Sequence, residues 1–259
     1  MSRGLPKQKP IPGVKKILII ASGKGGVGKS TTAVNLSTAI KSLEPEKSIG
    51  LLDADVFGPS IPLMMNLHDT PILNDKNLME PLINYGIKCM SMGFLVDQKS
   101  PVIWRGLMVM SALDKLIRQT AWGDLDYLII DTPPGTGDTH LSLIQNLPLS
   151  GVILVTTPQN AALQVARRGA AMFLKMNVPI AGIVENMSSI TCITCVRYVF
   201  SEIDFLQKIP LDRNITENCD NGKPIVLSMP ESSPANAYRR LAHMVIEFLK
   251  KQPIDNSNS

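Results

Sequence analysis

A glycine-rich loop between an apolar run and a helical pattern constrains this chain more than any other feature. The loop comprises residues 23–30 and reads Gly23-Lys24-Gly25-Gly26-Val27-Gly28-Lys29-Ser30. The continuous apolar run Lys15–Ala21 before it predicts a strand that is buried on both faces. Residues 31–43 after it place apolar side chains at helical spacing. A strand, a Gly-x-x-x-x-Gly-Lys-Ser loop and a helix in this order are typical of a phosphate-binding loop.

The chemistry of such a loop follows from its residue types. Glycines allow positive φ, so the backbone can curl and surround phosphate oxygens with its N–H groups. The helix that begins near Lys29 adds the positive end of its dipole. We expect the Lys29 ammonium to bridge the β- and γ-phosphates of ATP and the Ser30 hydroxyl to ligate Mg²⁺. The residues predicted to bind nucleotide here are Gly23, Lys24, Gly25, Gly26, Val27, Gly28, Lys29, Ser30 and Thr31.

Further apolar runs alternate with helical patterns along the chain. Strands are predicted over residues 49–53, 87–92, 126–131, 151–156 and 180–184, and helices over residues 107–119, 161–176 and 234–251. This alternation implies βαβ units, and therefore an α/β fold with a doubly wound, mainly parallel sheet. We predict one P-loop domain over residues 14–251, with a flexible, basic, proline-rich segment (1–13) before it and a disordered tail (252–259) after it. Residues 55–62 are predicted to be loop, because prolines and a glycine interrupt them.

Composition excludes several classes of protein. No apolar run reaches the roughly 18 residues that cross a bilayer, so no transmembrane segment is predicted. The net charge of +4 is too small to indicate a nucleic-acid partner. Four cysteines in 259 residues do not form a disulfide scaffold, which favours a reducing compartment.

Acidic side chains follow two of the predicted strands. Asp53 and Asp55 lie at the end of the second strand, and Asp131 ends the strand over residues 126–131. Because ligands bind outside the carboxyl ends of parallel strands, we expect these acids to converge near the γ-phosphate. Asp131 is predicted to hold Mg²⁺ through its water shell. Asp55 is the favoured group for positioning the attacking water and Asp53 for the Mg²⁺ shell, although either could instead cap a turn.

The residues after Asp131 have the composition of a mobile loop. They read Asp131-Thr132-Pro133-Pro134-Gly135-Thr136-Gly137-Asp138, which resembles a switch loop. Gly135 can donate its N–H to a γ-phosphate and release it after hydrolysis, so the loop would report the state of the nucleotide.

The four cysteines differ in their spacing. Cys192 and Cys195 form a Cys-x-x-Cys pair, which could hold an iron–sulfur cluster, hold zinc, act as a redox pair or have no ligand. Cys89 and Cys219 stand alone and are predicted to be ordinary buried thiols.

The phosphate-binding loop carries a second lysine near its start. With Lys24, the loop resembles the deviant Walker A loop of the MinD, ParA and nitrogenase-iron-protein class. In that class the first lysine reaches the partner's nucleotide, so the resemblance implies an ATP-dependent sandwich dimer. The alternative is an exposed lysine with no such contact.

Several other motifs narrow the resemblance. They read Asp53-Ala54-Asp55-Val56-Phe57-Gly58-Pro59-Ser60, Trp104-Arg105-Gly106, Thr157-Pro158-Gln159 and Glu185-Asn186-Met187-Ser188. Together with the two loops above, they resemble the Mrp-type iron–sulfur carrier ATPases. The resemblance implies a weakly hydrolysing, ATP-binding homodimer that carries a [4Fe–4S] cluster between Cys192 and Cys195 of each chain. It also implies that Asn186 and Pro210 meet adenine, and that the catalytic residues are Lys24, Lys29, Asp53, Asp55 and Asp131.

The start of the chain and residues 90–95 are similar to the mitochondrial, nucleotide-binding-protein-like branch of that family. That branch serves assembly of respiratory complex I, which implies the mitochondrial matrix and apoprotein subunits as recipients of the cluster. The chain departs from the family at Ile193, where proline is usual, and over Val196–Lys208, where the family has a longer insert. The shorter segment is expected to move the cysteines or to open the edge of the sheet.

Two other classes of function are compatible with the phosphate-binding loop. One is a positioning ATPase that acts on a membrane or on DNA, and the other is a metabolic enzyme that transfers phosphate to a small molecule. The modest charge and the absence of an amphipathic membrane anchor in residues 234–251 count against the first. The Cys-x-x-Cys pair would be incidental in the second.

Overall fold

The computed structural model describes residues 8–95, 106–135, 137–188 and 203–253. Its strands are β1 (Ile17–Ser22), β2 (Ile49–Asp53), β3 (Leu82–Asn84), β4 (Ile87–Ser91), β5 (Tyr127–Asp131), β6 (Gly151–Thr156), β7 (Ile180–Ser188) and β8 (Phe205–Pro210). Its α-helices are α1 (Lys29–Leu43), α2 (Ile61–Met64), α3 (Gly106–Arg118), α4 (Asp138–Asn146), α5 (Asn160–Lys175), α6 (Arg213–Asp220), α7 (Ile225–Ser228) and α8 (Ser233–Lys251), and a 3₁₀ turn spans Met92–Phe94.

The strands form one eight-stranded sheet in the order β3-β4-β2-β5-β1-β6-β7-β8. Every neighbouring pair is parallel except β3 and β4, which are antiparallel. Strands β1, β2, β5 and β6 are buried along their whole length, because both faces of the sheet are covered. Their continuous apolar sequences are therefore those of central parallel strands. The predicted α/β fold with a mainly parallel sheet is confirmed.

The connections place the helices on both faces of the sheet. The chain moves in one direction along the sheet from β1 through α1 to β2, and in the other from β5 through α4 to β6 and through α5 to β7. Because such crossovers are right-handed, α1 covers one face and α4 and α5 cover the other. The direction reverses beside β1, and the glycine loop follows that strand, so the loop lies at the point where open α/β sheets bind their ligands.

Residues 8–13, which we predicted to be flexible, are instead held against the domain. Lys9 donates its backbone N–H to the Asn146 carbonyl at 3.0 Å, and Arg118 donates to the Pro10 carbonyl at 2.9 Å. Ile11 is buried in the core. The segment is held because Ile11 packs into the core. The surrounding prolines and lysines, which are typical of a flexible segment, gave no indication of this contact.

Three other expectations need correction. Ile61 and Pro62, which we predicted to end a loop, instead begin α2, because Pro62 occupies the first turn of the helix, where proline is tolerated. Gln252 and Pro253, which we predicted to lie in a disordered tail, instead accept hydrogen bonds from the Lys16 ammonium through their carbonyls. The shortened segment still supplies a strand beside β7, since β8 includes part of it and pairs in parallel with β7 as the last strand of the sheet.

Candidate functional site

The glycine loop adopts the conformation that a phosphate-binding loop needs. Gly26 and Gly28 have φ angles of 77° and 84°, in the left-handed region that favours glycine. Helix α1 starts directly after Gly28, whose lack of a side chain leaves the N-cap position without a side-chain cap. A Cβ at Gly26 would have open space, whereas one at Gly23 would lie 2.7 Å from the Val165 backbone. The loop is therefore open where phosphates would enter and closely packed where it meets α5.

A buried ion pair joins the loop to the end of β5. The Lys29 ammonium donates to Asp131 Oδ1 at 2.5 Å, with Lys29 6% exposed and Asp131 fully buried. Lys29 also donates to the Ser30 hydroxyl at 3.1 Å. Burial raises the pKa of Asp131, and the Lys29 ammonium opposes that rise. The structure thus brings together three residues that the sequence assigned to one site.

Mg²⁺ fits this arrangement. The second carboxylate oxygen of Asp131 is buried and has no hydrogen-bond partner among the described residues. A buried oxygen of this kind is costly unless a cation or a bound water satisfies it. The Ser30 hydroxyl and the Asp131 carboxylate are hard oxygen ligands of the type that Mg²⁺ prefers. When bound, the ion supplies charge neutralisation to phosphate oxygens, and Ser30 and Asp131 would hold it.

Asp53 lies deeper than the sequence suggested. Its carboxylate accepts hydrogen bonds from the backbone N–H groups of Asp55 (3.1 Å), Ser60 (3.1 Å) and Ile61 (3.2 Å) and from the Ser91 hydroxyl (3.0 Å). Burial, followed by the nearby Asp131 charge, raises its pKa to about 7. Both oxygens are occupied, so Asp53 organises the loop over residues 54–61 and starts α2. Of the two roles open for Asp53, this geometry favours the turn cap over the Mg²⁺ shell.

Asp55 faces a cleft beside the loop. The cleft has a volume of about 770 Å³ and is lined by Asp55, Phe57, Gly58, Val109, Met110, Pro133, Pro134, Gly137, Asp138, Thr139 and His140. It is open to solvent, and Phe57 is 66% exposed at its rim. Asp55 is thus the acid of the Asp53–Asp55 pair that a water molecule can reach, as its predicted role requires.

His140 also belongs to this site, although no ligand-like pattern accompanies it in the sequence, which indicates only a structural role. Thr132 Oγ1 donates to the Ile20 carbonyl at 2.9 Å and lies 2.9 Å from His140 Nε2, so Nε2 carries the proton. The ring is buried, and Nδ1 has no hydrogen-bond partner in the part of the chain that the structure describes. Burial, followed by the Lys29 charge, lowers the pKa of His140 to about 4. A neutral histidine therefore ties α4 to the residue that follows Asp131.

Gly135 has a φ of 97°, in the region that favours glycine. Its N–H donates to the Ser22 carbonyl at 2.8 Å. The predicted contact with a γ-phosphate therefore requires this hydrogen bond to break, which gives the loop two alternative partners. That role remains a prediction.

Asn186 and Pro210 lie at the carboxyl ends of the neighbouring strands β7 and β8. Asn186 is buried, and its Nδ2 donates to the Val27 carbonyl at 2.9 Å. Leu211 donates its N–H to the Ser188 carbonyl at 3.4 Å, which holds the end of β8 beside β7. Asn186 thus stands next to the glycine loop and Pro210 at the end of the neighbouring strand, and the contact of both residues with adenine remains a prediction.

The remaining predicted site residues lie at the surface or outside the described residues. Lys24 is exposed and donates to Gln159 Oε1 at 3.2 Å, so its contact with a partner's nucleotide stays a prediction. Cys192, Cys195 and the Trp104-Arg105 pair lie outside the described residues. Cys89 and Cys219 are buried and free, as predicted. Burial raises the pKa of both thiols, that of Cys219 to about 11.

Comparison with known proteins identifies the family. A family model described as "ParA: NUBPL iron-transfer P-loop NTPase" matches residues 13–246. The chain belongs to this family.

Among the described residues, none of the helices combines the length and the apolar character that crossing a membrane requires.

Relatives of the chain have names from the same class. It is 54% identical to the mouse "Iron-sulfur cluster transfer protein NUBPL", over 98% of this chain and 83% of the mouse protein. It is 50% identical to the Arabidopsis thaliana "Iron-sulfur protein required for NADH dehydrogenase, mitochondrial", over 92% and 80% of the two chains. An iron–sulfur cluster carrier protein of Pseudomonas fragi is 45% identical, over 91% and 88%.

Solved structures agree with the fold. A nucleotide-binding protein from Archaeoglobus fulgidus, solved with ADP, is 30% identical, with a TM-score of 0.71 over 87% of this chain and 93% of that one. The MinD ATPase of Pyrococcus furiosus has a TM-score of 0.71 at 23% identity, over 90% and 99%, and shows the shared fold alone. The predicted similarity to deviant Walker A proteins is confirmed at the level of the fold.

Proposed function

We propose that this protein is an ATP-dependent carrier of iron–sulfur clusters. The observation that carries the nucleotide part is the open glycine loop, with the Lys29–Asp131 pair beneath it and an unpaired Asp131 oxygen beside Ser30. The observation that carries the cluster part is the family, whose named relatives transfer or carry iron–sulfur clusters.

ATP binding exchanges one set of contacts for another. Without nucleotide, the Lys29 ammonium is neutralised by Asp131. A triphosphate at the loop supplies new anionic partners for Lys29, and the Asp131 carboxylate is then available to Mg²⁺ together with Ser30. Asp55, which faces the open cleft, orients the attacking water. Hydrolysis is slow and serves a change of conformation, since the switch loop at Gly135 can exchange its Ser22 partner for the γ-phosphate.

The cluster is cargo, and two chains hold it. A [4Fe–4S] cluster takes four thiolates, and one chain offers a single pair at suitable spacing, Cys192 and Cys195. A homodimer that contributes one pair from each chain completes the set. Lys24, exposed at the open side of the loop, is the residue we assign to the partner's nucleotide.

The recipients are apoproteins of respiratory complex I, and the site of action is the mitochondrial matrix. The Arabidopsis relative, named as an iron–sulfur protein required for mitochondrial NADH dehydrogenase, supports the organelle and the complex in this proposal.

Cluster transfer with and without nucleotide tests this function. Reconstituted protein is mixed with an apo-acceptor that requires a [4Fe–4S] cluster, and recovery of the acceptor's activity is timed with and without Mg-ATP. Wild type should transfer the cluster at a rate that Mg-ATP changes. Lys29→Met should transfer it at a rate indifferent to Mg-ATP, whereas Lys76→Met, at an exposed position away from the loop, should behave as wild type. Transfer that no variant and no nucleotide alters would contradict the ATP-dependent carrier.

A further inference from the structure

Asn186 contacts the phosphate-binding loop rather than open space. Its Nδ2 donates to the Val27 carbonyl at 2.9 Å, and the side chain is 5% exposed. The Val27 carbonyl and the Gly28 N–H belong to one planar, trans peptide, so they point in opposite directions. Holding the carbonyl therefore fixes the direction of the Gly28 N–H, a donor of the loop that binds phosphate.

Packing reinforces this hydrogen bond. A Cβ placed on Gly28 would lie 2.0 Å from Asn186 Nδ2, so the amide rests directly against the Gly28 backbone. Gly26 has a similar φ, yet a Cβ there would meet no atom of the described residues within 4 Å. Of these two glycines in the left-handed region, only Gly28 is blocked by another residue, and that residue is Asn186.

The end of β7 is shaped to hold Asn186 in this place. Met187, the next residue, has a φ of 54°, which is uncommon for a residue other than glycine. Glu185, the preceding residue, is buried and accepts a hydrogen bond from the Ser188 hydroxyl at 2.6 Å. Backbone strain of this kind persists where surrounding contacts enforce it, and it concentrates at functional positions.

We propose that Asn186 is a positioning residue for the phosphate-binding loop, which it holds in shape for the polyphosphate part of the ligand. This inference rests on the proposed binding of ATP and differs from the adenine contact implied by the resemblance. Substituting a residue that contacts adenine should lower the affinity only for ligands that carry the base. Substituting a residue that holds the loop in shape should lower the affinity for every triphosphate, including one without a nucleoside.

Inorganic tripolyphosphate separates the two roles. Dissociation constants for ATP and for tripolyphosphate are measured by calorimetry on wild type, Asn186→Ala and Asn186→Asp. Loss of one buried hydrogen bond should lower the affinity for both ligands alike, by about tenfold for Asn186→Ala. Asn186→Asp should lower both affinities at least as much, because its carboxylate and the Val27 carbonyl are both acceptors and repel each other. Loss of ATP binding with unchanged tripolyphosphate binding would overturn the proposal, as would unchanged binding of both.

A control and a double variant separate local shaping from general instability. Gln207 in β8 donates its side-chain amide N–H to the Lys208 carbonyl at 3.1 Å. Gln207→Ala therefore removes a hydrogen bond of the same kind from another strand, and it should leave the affinities for ATP and tripolyphosphate unchanged. Gly28→Ala should lower the affinity for tripolyphosphate more in wild type than in Asn186→Ala, because the second background lacks the Asn186 amide, which would lie 2.0 Å from the new Cβ. Equal effects in the two backgrounds would count against the contact. Wild type that binds neither ligand would contradict the proposed function instead.

Discussion

The buried Lys29–Asp131 pair makes a quantitative prediction for the protein without nucleotide. Asp131→Asn keeps the shape of the side chain and removes its charge, so a lysine that is 6% exposed loses its counterion. Removing one partner of a buried pair typically costs about 3–5 kcal/mol in the free energy of unfolding. We expect the lower end, about 3 kcal/mol, because the asparagine oxygen can still accept from Lys29. For a domain of this size, that loss lowers the melting temperature by roughly 6–12 °C.

Urea denaturation followed by far-UV circular dichroism measures the effect. Asp114→Asn is the matched control, because Asp114 is 67% exposed and its pair with Arg118 should contribute less than about 1 kcal/mol. Lys29→Met/Asp131→Asn should recover part of the stability lost in Asp131→Asn, since no buried cation then lacks a partner. A loss below about 1 kcal/mol for Asp131→Asn, or additive losses in the double variant, would refute the reasoning.

The remaining predictions concern pH and the partner chain. The pKa of His140 is lowered to about 4, so its neutral form stabilises the fold above the unfolded pKa, near 6.5, and this contribution is lost as pH falls toward 4. His140→Asn should therefore flatten the pH dependence of unfolding by roughly 2 kcal/mol at pH 5, whereas exposed His243→Asn should not. Lys24→Ala should leave the melting temperature of the ligand-free protein within about 1 °C. Under Mg-ATP, however, it should abolish dimer formation in analytical ultracentrifugation; a dimer of unchanged affinity would contradict the proposed role of Lys24.

Sequence reasoning was most successful where one continuous segment determines the structure. The loop from Gly23 to Ser30 carries its own glycines and lies between a buried strand and a helix, so its conformation could be predicted from local pattern alone. The central strands could be predicted for the same reason, because burial on both faces makes them uniformly apolar. Strand β8 was missed, since it lies at the edge of the sheet and mixes polar with apolar residues.

Roles that depend on distant partners were harder to predict. Asp53 looked like a ligand because it ends a strand, yet its oxygens accept from Ser60, Ile61 and Ser91, and nothing in the local sequence shows this. His140 looked structural because no second ligand accompanies it, whereas the fold places it against Thr132. One signal was available: His140 follows the switch loop closely, as the third residue of a helix that begins with Asp138.

Iron and acid-labile sulfide per chain, measured after anaerobic reconstitution, test the central claim most directly. Four proteins are compared: wild type, Cys192→Ala/Cys195→Ala, the control Cys89→Ala/Cys219→Ala, and Asp131→Asn. The control removes the two buried thiols, whose raised pKa values make them poor ligands. The account predicts about two irons and two sulfides per chain in wild type, in the control and in Asp131→Asn, and neither in Cys192→Ala/Cys195→Ala. No iron in wild type that still binds ATP, or full loading without the Cys192–Cys195 pair, would contradict it.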